Sequence, residues 1–289
     1  MFFNLSAPFT PSIDLDLKWK DILARHRKLF VATLQSREHS RSPVYFFRNR
    51  IVDLVSPAEI QTLRISFDFN ELAKNKSNNI TWHGLMIEKL VDILPENSIC
   101  LLLDSDAMPL SESALKLSFV LADKFGVSGN AQRTNCIENN SHIFAGPSYL
   151  CFDTDYINIL GKGLWLISER SDTGEEIFWR ADYSSRENLF SPICTLMRPI
   201  WALDGNKPAY GIGTIFGYNN CPVSYHHFCS RVLIARLHFV IVSCLIWLRL
   251  TLKNLNLSGF FRFSFFKIFK SIALEIYLSL KYLFKGSIE

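Results

Sequence analysis

No Cys-x-x-Cys pair, no zinc-finger spacing and no internal repeat occur in the 289 residues, and no glycine falls between positions 28 and 42. The first two absences argue against a structural zinc module. The missing early glycine argues against an N-terminal phosphate loop of the kind that cradles a nucleotide triphosphate. The seven cysteines (Cys100, Cys136, Cys151, Cys194, Cys221, Cys229 and Cys244) are scattered and odd in number. That pattern fits reduced thiols better than a disulfide framework. The opening Met1-Phe2-Phe3-Asn4-Leu5 lacks the basic start and apolar run of a signal peptide, so the main body is expected to stay in the cytoplasm.

Long unbroken apolar runs are also scarce. Positions 232–250 come closest, but Arg236, His238 and Arg249 interrupt them. The stretch Phe239–Leu248 between these groups is half the length of about 20 residues that a spanning helix needs. A buried or interfacial helix is the expectation there.

What is abundant is phenylalanine and, late in the chain, positive charge. Seven of the 24 Phe lie in the last 30 positions. From Arg231 onward nine Lys or Arg stand against two Glu, a net of +7 in a chain of net +4, which leaves −3 on the rest. A slightly acidic body with a basic, apolar tail points to an anionic membrane surface rather than to nucleic acid. Between 260 and 285 the spacing predicts an amphipathic helix. Lys267, Lys270, Lys281 and Lys285 gather on one side, with Phe269, Ile272, Ile276, Leu280 and Leu283 on the other. A packing or oligomer helix is the alternative. The expected division is therefore a domain over 1–231 and a hydrophobic, basic, membrane-associating helical tail over 232–289.

Within 1–231 the length suits one substantial α/β domain. The pattern predicts a short helix near Leu17–Arg25, a strand at Lys28–Leu34 and a second short strand at Val44–Phe47. A helix is expected to start at Ser56-Pro57-Ala58-Glu59, with Ser as N-cap and Pro at the first turn. Trp82–Leu94 reads as an amphipathic helix ended by Pro95. Ser98–Leu103 is short, almost continuously apolar and closes on Asp104, as a central parallel strand buried on both faces would. A helix at Ser113–Lys124 follows, then strand, polar loop, strand and helix over 126–160. Positions 199–225 are rich in Gly and Pro and read as loop rather than regular scaffold.

In an open parallel sheet, ligands bind beyond the carboxyl ends of the strands. Asp104 and Asp106 would stand there, two residues apart on one extended turn. Such hard oxygen ligands suit Mg²⁺ or Mn²⁺. The plain alternative is a pair of solvated loop carboxylates. Spacing alone leaves both open.

The segment His83-Gly84, followed by Cys100-Leu101-Leu102-Leu103-Asp104-Ser105-Asp106-Ala107-Met108-Pro109-Leu110, resembles the nucleotide-sugar-binding core of GT-A-fold glycosyltransferases, in particular bacterial members near family 2. Tyr225-His226-His227-Phe228, with Ser230-Arg231 after it, resembles the closing segment of such domains. The resemblance covers roughly 80–231. It implies a GT-A-like, mostly parallel sheet flanked by helices, with the helical amphipathic tail appended. It also implies a metal-dependent transfer of a sugar from a nucleotide-sugar donor, with Mn²⁺ or Mg²⁺ held by Asp106, Asp104 and a late His. His226 is preferred to His227 because an aromatic residue precedes it. An acidic base in inverting members maps to Glu175 or Glu176. Arg37 and Arg231, with Arg41, are candidates for diphosphate contacts. Ser128-Gly129-Asn130 and Phe144-Ala145-Gly146-Pro147 are candidates for acceptor-side walls. The familiar first strand ending in Asp is absent, with Lys28–Leu34 in its place, which leaves base recognition open.

The expected acceptor is a glycan or glycolipid in lipopolysaccharide or other surface polysaccharide synthesis, at the cytoplasmic face of the inner membrane, with the protein held peripherally. A metal-dependent nucleotidyltransferase and a non-catalytic membrane-associated scaffold are the alternatives. Removal of 255–289 is expected to lower binding to anionic vesicles in a sedimentation assay while leaving the sheet folded. Unchanged vesicle binding would contradict a membrane role for the tail.

Overall fold

A computed structural model describes residues 13–36, 42–67, 82–133, 143–181, 193–198, 201–202, 211–212, 214–218, 221–227 and 233–254. The expected helix at 260–285 and the polar loops at 74–79 and 134–141 lie outside these residues.

Helix α1 (Ile13–Ala24) leads into strand β1 (Lys28–Ser36). Helix α2 (Pro43–Val55) comes next, where a strand at Val44–Phe47 was expected. Its start is set by Ser42, whose Oγ accepts from Val44 N at 3.3 Å, with Pro43 in the first turn. Val44, Phe47, Ile51, Val52 and Val55 then recur at helical spacing and are buried. The helix expected to begin at Ser56 is instead a turn into strand β2 (Ile60–Phe67). Its alternation of Ile60, Thr62 and Leu63, Ile65 and Phe67 with polar residues favours a pleated edge over a helix.

Helix α3 (Trp82–Ile93) and strand β3 (Ser98–Leu103) stand where the sequence places them. Every residue of β3 is buried. The chain turns at Asp104-Ser105-Asp106 into the short strand β4 (Ala107–Pro109), then into α4 (Glu112–Phe125). Ser111 caps α4, and Gly126 at φ +83° ends it where a side chain would run into the Tyr156 ring. Strands β5 (Val127–Arg133) and β6 (Ile143–Asp153) follow, then α5 (Thr154–Leu160), capped by Asp153, and α6 (Glu176–Arg180). Strand β7 (Ile193–Arg198) comes next, and the Gly- and Pro-rich region 199–225 expected to be loop holds β8 (Trp201–Ala202), β9 (Gly211–Ile212), β10 (Thr214–Tyr218) and most of β11 (Cys221–His226). Pairing with neighbouring strands overrides local composition there. Helix α7 (Leu233–Asn254) comes last.

Nine of the described strands form one sheet in the order β2-β1-β3-β6-β5-β7-β10-β11-β4. Strand β1 runs parallel to both β2 and β3, and β6 joins β3 antiparallel. Beyond the parallel β5–β7 pair the sheet continues antiparallel through β10, β11 and β4. The α/β architecture thus has a parallel block flanked by helices and an antiparallel extension.

Side chains alternate along the strands. Val31, Ile99, Leu101 and Leu103 face a core shared with α1, α2, α4 and α7. Phe30, Ala32, Cys100 and Leu102 face a second core with α3, Leu164, Trp165 and Ile177. Helix α7 belongs to the first core through Phe239, Val240, Val242, Cys244 and Ile246. Among the described residues no helix is long and apolar enough to cross a membrane.

Membership of α7 in the core makes a stability prediction. Phe239 is 1% exposed, so Phe239→Ala should cost about 3–5 kcal/mol in urea unfolding. A loss under about 1 kcal/mol, typical of a surface site, would mean that α7 is not part of the folded unit.

Candidate active site

Strand β1 connects through α2 to β2 on one side, and β2 connects through α3 to β3 on the other. The chain reverses its winding direction between β1 and β3, and a crevice outside the carboxyl ends of these strands is where open sheets bind ligands. Leu34 lies near that end of β1, and Asp104 follows directly on β3.

One side chain ties the two ends together. Arg48, fully buried on α2, donates from Nη1 to Leu34 O at 3.1 Å and to Asp104 O at 3.2 Å. Its Nε and Nη2 donate to Asn49 Oδ1, and the guanidinium lies 5.0 Å from the Tyr45 ring centre. Burial pulls this guanidinium down to about 10, opposed by Tyr45, Asp104 and Asp106. It remains a cation at neutral pH directly behind the carboxylates. The sequence reading missed it because its segment looked like strand. A Ser-Pro start followed by helix-spaced apolar residues was the available signal.

Asp104 N donates to Ser148 O at 2.9 Å, which fixes the turn against β6. Asp104 Oδ1 accepts from Ser105 N at 2.7 Å. Burial works to raise the Asp104 carboxyl, but His83, the Ser105 N–H, His226 and Arg48 outweigh it and hold the group below the usual carboxylate range. His83, in the first turn of α3, therefore belongs to the same electrostatic neighbourhood. It entered the sequence reading only as part of a resemblance.

Asp106 is 5% exposed, and β4 continues from it to pair antiparallel with β11. Ala107 stands opposite His226, and His227 N donates to Asp106 O at 2.9 Å. This ladder places His226 Nε2 3.4 Å from Asp106 Oδ1, between residues 120 positions apart. Two ligands of one octahedral Mg²⁺ stand about 3 Å apart, given metal–oxygen distances of about 2.1 Å, so the pair fits a single ion. Among the described residues no three His, Cys, Asp or Glu side chains close around one point. The other positions of such an ion would fall to substrate oxygens and water.

His227 turns to the opposite side. Its Nε2 is 3.3 Å from His238 Nδ1 on α7, and Tyr225 Oη is 3.4 Å from the same nitrogen. Burial lowers His238, and burial together with Asp106 pushes Tyr225 well above its ordinary value.

The two glutamates differ. Glu176 is held by Arg170 at 2.8 and 2.9 Å, by Arg180 at 3.3 Å and by Ser171 at 3.2 Å. The Arg170 hydrogen bond, against burial, keeps its carboxyl below the usual range. This is the setting of a structural ion pair. Glu175 is buried at the start of α6, with Oε2 accepting from Asp172 N at 2.6 Å. Asn130 is buried too, its Oδ1 accepting from Ser224 Oγ at 2.5 Å. Arg37, Arg41 and Arg231 lie outside the described residues.

Two outcomes test this geometry. Arg48→Met leaves two strand-end carbonyls short of a donor and should lower stability by about 1–3 kcal/mol in urea; an unchanged midpoint would contradict the bridging role. A lowered folded-state carboxyl contributes stability above the ordinary glutamate range and loses it as pH falls through that range. Melting temperatures of the natural protein and Glu176→Gln should therefore differ at neutral pH and converge on acidification. A gap that stays constant with pH would contradict the ion-pair assignment. No protein-family model, no curated protein and no solved structure matches the chain.

Proposed function

We propose that this protein is a metal-dependent glycosyltransferase of the GT-A type, moving a sugar from a nucleotide-sugar donor to a glycan or lipid-linked acceptor hydroxyl with inversion. The observation that carries the reading is the approach of His226 to Asp106 at the carboxyl end of a fully buried strand. Mn²⁺ or Mg²⁺ would be held by Asp106 and His226, with Asp104 contacting the ion through water or the donor directly. When bound, such an ion offsets the negative charge that develops on the departing nucleoside diphosphate.

The chain's own groups divide the remaining work. Asp104 is kept ionised, so it is an acceptor for donor hydroxyls or metal-bound water. Arg48 supplies a fixed positive charge behind the carboxylates and holds the carbonyl of Asp104. Gly174, at φ +80°, shapes the turn that presents Glu175. Glu175 is the favoured base of the pair, because Glu176 is committed to Arg170 and Arg180. In the transfer, the acceptor oxygen bonds to the anomeric carbon as its proton passes to the Glu175 carboxylate. The bond from that carbon to the diphosphate oxygen breaks, and the diphosphate leaves with the electron pair.

A donor-hydrolysis or transfer assay with added Mn²⁺ tests the assignment. Asp106→Ala and His226→Ala should each lower metal-dependent turnover about 100-fold or more, the scale of losing a transition-state charge contact. Full metal-dependent activity in both variants would overturn the metal assignment.

A further inference from the structure

We propose that the outer surface of α2 and α7 is a docking face for an anionic lipid bilayer. Both helices pack on the same face of the sheet and against each other, with the Phe47 and Trp247 ring centres 6.0 Å apart. Helix α7 buries one side through Phe239, Val240, Cys244 and Ile246. A helix in that position ordinarily turns charged residues to water. Helix α7 instead exposes Ile241 by 46% and Leu245 by 49%, followed by exposed Arg249. Helix α2 adds Phe46 and Leu54, each 37% exposed, and exposed Arg50, whose guanidinium lies 5.6 Å from the Phe46 ring centre.

Charge selects the occupant. Helix α7 contains no Asp or Glu in 22 residues. On α2, Asp53 is paired with Arg64 at 2.6 Å, so the unbalanced charge of the face is positive. The chain beyond α7 is basic as well, within the net +7 that follows Arg231. Apolar side chains flanked by arginine suit the boundary between acyl chains and anionic headgroups. Two copies of this face would bring like charges together, which disfavours a symmetric dimer. On the opposite side of the sheet the exposed Ile93 and Ile159 stand among charges of both signs, Asp92, Glu96 and Asp155 with Lys89 and Lys162.

Docking in this way sets the distance of the candidate site from lipid. Arg48, on the inner side of α2, holds Asp104 O, while Phe46 and Arg50 face outward. The strand end then stands about one helix diameter, ~10 Å, from the headgroups. The docking itself does not depend on the sugar-transfer reading, since it is measured without turnover.

The test is sedimentation of the full chain with vesicles of equal phosphatidylcholine and phosphatidylglycerol, and with phosphatidylcholine alone. The natural protein should prefer the anionic vesicles. Ile241→Glu combined with Leu245→Glu should lower the bound fraction about tenfold, and Arg50→Glu with Arg249→Glu should weaken the anionic preference. Ile159→Glu, on the opposite side, should bind like the natural protein. Unchanged melting temperatures establish that the variants are folded. Binding by both double variants at the natural level would overturn the proposal. So would light scattering that showed a natural dimer dissociated by Ile241→Glu with Leu245→Glu, since the face would then meet a second copy.

Discussion

The short backbone ladder between β4 and β11 is the constraint on which the candidate site depends. Strand β3 ends in the parallel block of the sheet, whereas β11 lies at the far end of the antiparallel extension. The turn at Asp104-Ser105-Asp106 carries the chain from the first region to the last in three residues, and β4 then pairs with β11. The chain itself joins the two regions at that turn. Ala107 opposite His226, and the bond from His227 N to Asp106 O, fix which histidine faces the carboxylate and which faces α7. Because strand side chains alternate, a slip of one residue would exchange His226 and His227.

The electrostatics follow from that junction. Burial strips hydration from the Asp104 carboxylate, which favours protonation. The fold answers with a buried cation. Arg48 spends its Nη1 hydrogen bonds on the carbonyls at the ends of β1 and β3 rather than on a carboxylate. Its charge therefore acts on Asp104 and Asp106 without occupying their carboxylate oxygens. His83 and His226 add to the same field at Asp104. Glu176 shows the contrary arrangement, with both of its oxygens taken up by arginine or serine donors.

The strand end of this site was legible in the sequence for physical reasons. A six-residue apolar run closing on Asp is long enough for a buried strand and too short for a helix, so β3 and its end were placed correctly. The approach of His226 to Asp106 followed from a resemblance and not from any local signal, because pairing across 120 positions leaves no periodic trace. Arg48 was lost when α2 was read as strand from Val44–Phe47 alone. The same Ser-Pro signature occurs at Ser42-Pro43 and at Ser56-Pro57, and only the first is followed by a helical apolar face. Residues 199–225 misled in the opposite direction: glycines and prolines suggested loop, while β10 and β11 are held by their neighbours on both sides. The division of Glu175 from Glu176 depended on Arg170 as well as on Arg180 four residues on, and only the latter is a helix-spacing inference.

Helix α7 connects the core with the candidate site, since it completes the first core, meets His227 through His238 and presents an apolar outer side. In the proposed transfer Asp106 and His226 are ligands of one ion. Electron spin-echo spectroscopy of Mn²⁺ bound with a nucleoside diphosphate tests it most directly, because a directly bound imidazole nitrogen modulates the echo. Nitrogen modulation is expected in the natural protein and is expected to be lost in His226→Ala, with His227→Ala retaining it. Modulation that survives His226→Ala, or an absence of Mn²⁺ binding to the natural protein, would contradict it.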